Sequence, residues 1–128
     1  MSRLAVIAGA VCCVLAAAGC GSSSSSGPKS TFSGAWTGAW TSSSSIVDTL
    51  HATQSGTTLT GTDVEHNGGT AVNATINGSV GTSTVTFTIS VGGTAAGTFK
   101  GTFASATSVT GYFYYSATDS TGLSWTKE

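Results

Sequence analysis

Few side chains in this sequence have both the type and the spacing to do chemistry. Asp48, Asp63 and Glu65 are its internal carboxylates before residue 100, and His51 and His66 lie beside them in sequence. Carboxylates and imidazoles are the usual material of general acid–base catalysis and of metal sites. Here the spacing argues against both. On extended chain, residues of like parity share a face, and His51 falls on the opposite face from Asp48 in the same segment. No metal-ligand spacing recurs, so His51 and His66 are expected on the surface, with no metal site. Asp48, Asp63 and Glu65 have the parity of an inner face. Burying a carboxylate without partners is costly, so they are expected at strand ends near a rim, where water reaches them. One found deeper would mark a ligand or a cation. Serine is too abundant for a Ser-His-Asp set to carry information, and no GxSxG elbow or phosphate loop occurs. The reading is a non-enzymatic protein with no cofactor. Tyr112 and Tyr114, two residues apart and facing outward, offer a carbohydrate- or protein-contact patch.

Charge narrows the partners. Only 7% of the 128 residues are charged and the formal net charge is −1. Downstream of Cys20 the chain carries Lys29, Lys100 and Lys127 against five carboxylates. No basic patch for phosphates exists, which argues against nucleic-acid binding.

Cysteine is confined to positions 12, 13 and 20. Arg3 precedes an apolar run, Leu4 to Ala18, that ends in the small residues Ala17-Ala18-Gly19. As a helix that run would span roughly 22 Å, short of the ~30 Å hydrocarbon core, so it reads as a signal peptide rather than a transmembrane anchor. Ala17-Ala18-Gly19-Cys20 resembles the lipobox of bacterial lipoproteins. The resemblance implies a diacylglyceryl group on the Cys20 thiol, cleavage before Cys20 and acylation of the new amino group. A single acyl chain holds a membrane only marginally, and two or more hold firmly. The membrane is therefore an expected partner, through Cys20. The next segment, GSSSSSG at 21–27 and then Pro28, has a tether's composition; ten such residues span roughly 17 Å root-mean-square. The expected organisation is a signal peptide at 1–19, a lipidated cysteine and Gly/Ser linker at 20–29, and one domain at 30–128. The expected address is the cell envelope, and the outer membrane in a Gram-negative host, because Gly21 is not the aspartate associated with inner-membrane retention.

The elements that must position the candidates are strands. TVTFTISV at 84–91 alternates strictly, with Val85, Phe87, Ile89 and Val91 on one face and Thr or Ser on the other. GTFKGTF (97–103) and VTGYFYY (109–115) do the same. Turn signals fall at Ser55-Gly56, Asn67-Gly68-Gly69, Gly81-Thr82 and Gly92-Gly93. Strands are expected at 33–42, 45–54, 57–65, 70–80, 83–91, 94–103, 107–117 and 121–127. Short connections pair neighbours antiparallel, and eight of them suit an all-β, closed up-and-down barrel without exposed edges. The inner face takes Trp36, Trp40, Phe87, Phe99, Phe113, Tyr115 and Trp125, with glycines of the same parity making room. Thr and Ser on the outer face exclude a membrane-embedded barrel, whose outward residues must be apolar.

Gly34-Ala35-Trp36 resembles the Gly-x-Trp motif on the first strand of lipocalins and their calycin relatives, and TLHATQSGTTLTGT (49–62) is similar to the second hairpin of avidin-like barrels. That resemblance implies a binding barrel and carries over no ligand. The expected function is a surface-tethered binding module for a small apolar or amphipathic molecule. Trp36, Trp40, Tyr115 and Trp125 would form the lining, with Asp48 as the polar contact. The alternative is a structural or interaction lipoprotein with a filled barrel.

Overall fold

Threonine-rich segments with period-two apolar positions bury one face and wet the other, and the chain satisfies this by rolling one sheet into a cylinder. The computed structural model describes residues 30–128. The signal-peptide segment 1–19, Cys20 and the 20–29 linker lie outside the described residues. The strands are β1 (Gly34–Trp40), β2 (Ile46–Ser55), β3 (Thr58–Asn67), β4 (Thr70–Val80), β5 (Thr84–Val91), β6 (Thr94–Ser105), β7 (Ser108–Tyr114) and β8 (Ser120–Lys127). They pair in sequence order, every pair antiparallel, and β8 returns to β1. The architecture is the all-β, eight-stranded up-and-down barrel expected from the sequence. Closure runs through Gly38↔Trp125 and Trp40↔Leu123.

The two ends of the barrel differ. β1 starts at one end and reaches the other at Trp40, so the connections 41–45, 68–69, 92–93 and 115–119 gather at the far end. Two of these are tight two-residue turns. Gly68 and Gly69 have φ of 58° and 99°, and Gly92 and Gly93 have 60° and 85°. Positive φ at both central positions matches the right-handed twist of a hairpin, and glycine adopts it without strain.

The near end is packed solid with rings. Phe32 stacks on Trp36 at 4.4 Å between centroids and also meets Phe87 at 5.8 Å and Phe103 at 6.3 Å. Phe87, Phe99 and Trp125 continue the cluster inward. Such rings fit because the facing positions lack side chains. A Cβ on Gly38 would come within 2.7 Å of the Trp125 ring, and one on Gly101 within 2.5 Å of the Phe99 ring.

Three details depart from the sequence expectation. Phe32 lies before β1 and alternation assigned it no role, yet it is fully buried and plugs the near end. Its N–H donates to Gln54 Oε1 at 2.8 Å, and its carbonyl accepts the Trp36 Nε1–H at 3.2 Å. β7 stops at Tyr114 rather than running to 117, because the Tyr115 N–H donates to the Asp119 carbonyl at 2.9 Å and closes a turn. Finally, β5 pairs with β6 through a register shift after Ile89, where Gly97 gives way to Ala95 as the next partner. Ala96 is the extra residue of this bulge, and such a residue bends the strand locally. By contrast β4 spans 70–80 as expected, with Gly78 inside it opposite Phe87 and no turn at Asn77-Gly78.

Phe32→Ala is expected to destabilise the barrel by about 3–5 kcal/mol, the usual cost of deleting a fully buried ring. Urea unfolding followed by tryptophan fluorescence measures it. A loss under about 1 kcal/mol would mean that Phe32 does not seal the near end.

Candidate functional site

The far end holds the polar residues that the sequence singled out. Asp48 lies on β2 directly opposite Glu65 on β3, and Leu50 lies opposite Asp63. Because residues i and j±2 share a face, the three carboxyls form one inward patch on two adjacent strands. Asp48 is fully buried and Asp63 is only 2% exposed. This overturns the expectation that they sit at a water-washed rim. Strand parity was read correctly, but both side chains start well below the turns. Glu65, nearer the mouth, is half-buried.

β1 supplies the other wall. The Trp40 Nε1–H donates to Asp48 Oδ2 at 2.6 Å in a buried hydrogen bond. Trp40 meets Phe113 edge-on at 5.3 Å and lies nearly parallel to Tyr115 at 6.4 Å. Phe113 and Tyr115 meet edge-to-face at 5.0 Å. These rings, with Asp63 and Glu65, border a cavity of about 100 Å³, lined also by Val72, Ala74, Ile89, Val91 and Ala96. Tyr115 is 51% exposed and stands at the mouth. The β6 bulge brings Ala96 into the wall.

Electrostatics in the patch are unfavourable for the empty protein. Asp48 Oδ1 and Asp63 Oδ1 are buried with no hydrogen-bond partner among the described residues. Burial pushes the Asp48 carboxyl up to about 7; the Trp40 hydrogen bond opposes this and the Glu65 charge adds to it. Burial, reinforced by Asp48 and Glu65, pushes Asp63 up to about 8 against a backbone hydrogen bond from Val64. The Tyr115 phenol is also raised, by burial first and then by Glu65, Asp119 and Asp48. Cations stand elsewhere. Lys100 Nζ lies 5.5 Å from the outer Tyr114 ring, and Lys127 Nζ lies 5.8 Å from the Trp36 ring towards the near end.

Of the expected ligand-binding set, Trp40 and Tyr115 line the cavity, and Asp48 is joined to it only through its hydrogen bond with the Trp40 indole. Trp36 and Trp125 are fully buried in the near-end cluster and do not line the cavity. Parity alone gave all five one face and could not rank them by depth. His51 and His66 are exposed on the outside. Among the described residues, no group of three or more His, Cys, Asp or Glu side chains is arranged to hold a metal ion. Tyr112 and Tyr114 face outward with centroids 6.5 Å apart, beside an open groove walled by Thr84, Thr86, Lys100, Thr102 and Thr110. No protein-family model, curated protein or solved structure matches the chain.

The pH dependence has a definite sign. A carboxyl raised in the folded state binds more protons there than in the unfolded chain, so stability falls as pH rises from about 4 towards 8. Asp63→Asn removes that ionisation. It is expected to raise Tm at pH 8 while changing it little at pH 5, as measured by differential scanning calorimetry. An equal shift at both pH values would exclude ionisation of Asp63 as the cause.

Proposed function

We propose that this protein is a lipid-anchored, non-enzymatic binding module that receives a small amphipathic ligand at the far end of its barrel. The carrying observation is the asymmetry of the interior. One end is filled by stacked rings, and the other opens on an aromatic-walled cavity bordered by Asp63, one of whose buried carboxyl oxygens is unpartnered. Ligand sites combine apolar walls with a few convergent polar groups in this way. At about 100 Å³ the cavity is too small for a whole drug-sized molecule. It suits one end of a ligand, with the remainder resting on Tyr115 at the mouth.

The anchor reading rests on the sequence. The lipobox-like Ala17-Ala18-Gly19-Cys20 and the Gly/Ser segment after it support lipidation at Cys20 and a place on the cell envelope. The outward Thr and Ser of the wall have no favourable contact with hydrocarbon, which supports a barrel held in water. Phe32, two residues past the described start, lies at the sealed end, so the described chain enters the barrel at the end opposite the cavity. The strand order supports the lipocalin-like or avidin-like reading of Gly34-Ala35-Trp36. A second reading, an interaction lipoprotein, draws support from the outer groove beside Tyr112, which is 56% exposed.

Metabolic palmitate labelling is expected to mark the wild type and not Cys20→Ser. Equal labelling, or none in either, removes the anchor. For binding, a thermal-shift panel of small amphipathic compounds is expected to yield a ligand class that raises Tm. At ten times Kd the stabilisation is about 1.4 kcal/mol, or roughly 6–11 °C for a domain of this size. Ala74→Phe, which fills the cavity, is expected to abolish the shift. A shift that survives Ala74→Phe would move the site to the outer groove and favour the second reading.

A further inference from the structure

Resting on the binding reading above, we propose that the far-end cavity is a receptor for a small organic ammonium group. The rings of Trp40, Phe113 and Tyr115 would surround the cation, and Asp63 and Glu65 would supply its counter-charge.

The first argument is an imbalance of charge. Asp48, Asp63 and Glu65 share one face of β2 and β3, with Asp48 directly opposite Glu65. Like charges so placed repel, and no lysine among the described residues compensates them at that end. The cavity walls from β4, β5 and β6 are apolar: Val72, Ala74, Ile89, Val91 and Ala96. The titratable neighbours on the β7–β8 side are Tyr115 and Asp119, which add no positive charge. Lys100 and Lys127 are engaged at other surfaces, and His51 and His66 are exposed on the outer wall. A neutral ligand could satisfy the orphan Asp63 oxygen, but only a cation also relieves the repulsion.

The second argument separates organic cations from metal ions. Hard metal ions need several oxygens converging at bonding distance. Among the described residues no such group of three exists, and most of the wall is hydrocarbon or aromatic. An alkylammonium group matches both halves of the surface. Its charge is attracted to ring faces, most strongly where water is excluded, and its carbons suit the aliphatic wall. The size agrees, since about 100 Å³ admits a head group and not a whole ligand.

Proton linkage supplies a signature that a merely apolar pocket lacks. In the empty protein, burial holds Asp48 and Asp63 partly protonated near neutrality. A bound cation favours their ionised forms, so binding releases protons and tightens as pH rises.

The test is isothermal titration of the full chain with tetramethylammonium and butylammonium. Neopentyl alcohol, butanol, butyrate and calcium chloride serve as comparisons. The ammonium probes are expected to bind at least tenfold more tightly at pH 8.5 than at pH 5.5. At pH 7 the heat is expected to vary between phosphate and Tris buffers as protons are released. Asp63→Asn is expected to weaken ammonium binding at least tenfold at pH 8.5. Glu65→Gln, at a half-buried position, serves as a second variant should the first not fold, and is expected to weaken binding at least threefold. If the alcohols bind as well as the ammonium ions, or if binding ignores both pH and the variants, the cation proposal falls and the binding module stands. Calcium binding without ammonium binding also overturns the proposal. If none of the probes binds, and no compound in the thermal-shift panel does, both readings fall together.

Discussion

An eight-stranded barrel encloses a space only about as wide as the side chains that fill it. Large inward residues therefore need small ones beside them, on the neighbouring strand or two residues along their own. Trp125 lies over Gly38 and the Phe99 ring over Gly101, where any side chain would collide. The fill that results is uneven along the axis. Rings crowd the end where β1 begins, and the opposite end, where Trp40, Phe113 and Tyr115 share the wall with acidic and aliphatic positions, is left with unfilled volume.

That unfilled end holds the costly groups. Carboxyls without partners inside a barrel oppose folding, through lost hydration and mutual repulsion. A protein whose sole requirement was stability would carry leucine or valine at 48 and 63. The Trp40 indole answers one oxygen of Asp48 and leaves the other unmet. Sites where local cost goes uncompensated are commonly those that another molecule completes, and the acidic patch has that character. At the near end the rings stack and the Phe32 backbone groups are hydrogen-bonded, and the uncompensated group there is the neutral Trp125 indole N–H rather than a carboxyl.

Much of the architecture was legible because two signals agreed. Threonine and serine alternate with apolar residues in TVTFTISV, and the glycine pairs 68–69 and 92–93 mark turns that need positive φ. Where the signals were local, strand positions came out within a few residues, and β4 matched at both ends. What alternation lacks is depth. It assigned Asp48 and Trp36 to the same face without showing that one lies in a solid plug and the other beside a cavity. It was silent on Phe32, which belongs to no strand and whose burial depends on ring contacts with Trp36 of β1, Phe87 of β5 and Phe103 of β6. The β6 bulge at Ala96 was equally hidden, because one extra residue in a small, weakly patterned segment (Thr94-Ala95-Ala96-Gly97) leaves no trace until the partner strand is present.

An even number of strands brings the chain back to the end where it began. The final residue, Glu128, donates its N–H to the Ala35 carbonyl, so entry and exit of the barrel lie side by side at the sealed pole. All four loops at the opposite pole are consequently free of chain ends. Of these loops only 41–45 touches the β1–β8 seam, where the Thr41 N–H donates to the Gly122 carbonyl at 3.0 Å. The turns 68–69 and 92–93 at that rim can thus vary while the scaffold beneath them stays the same.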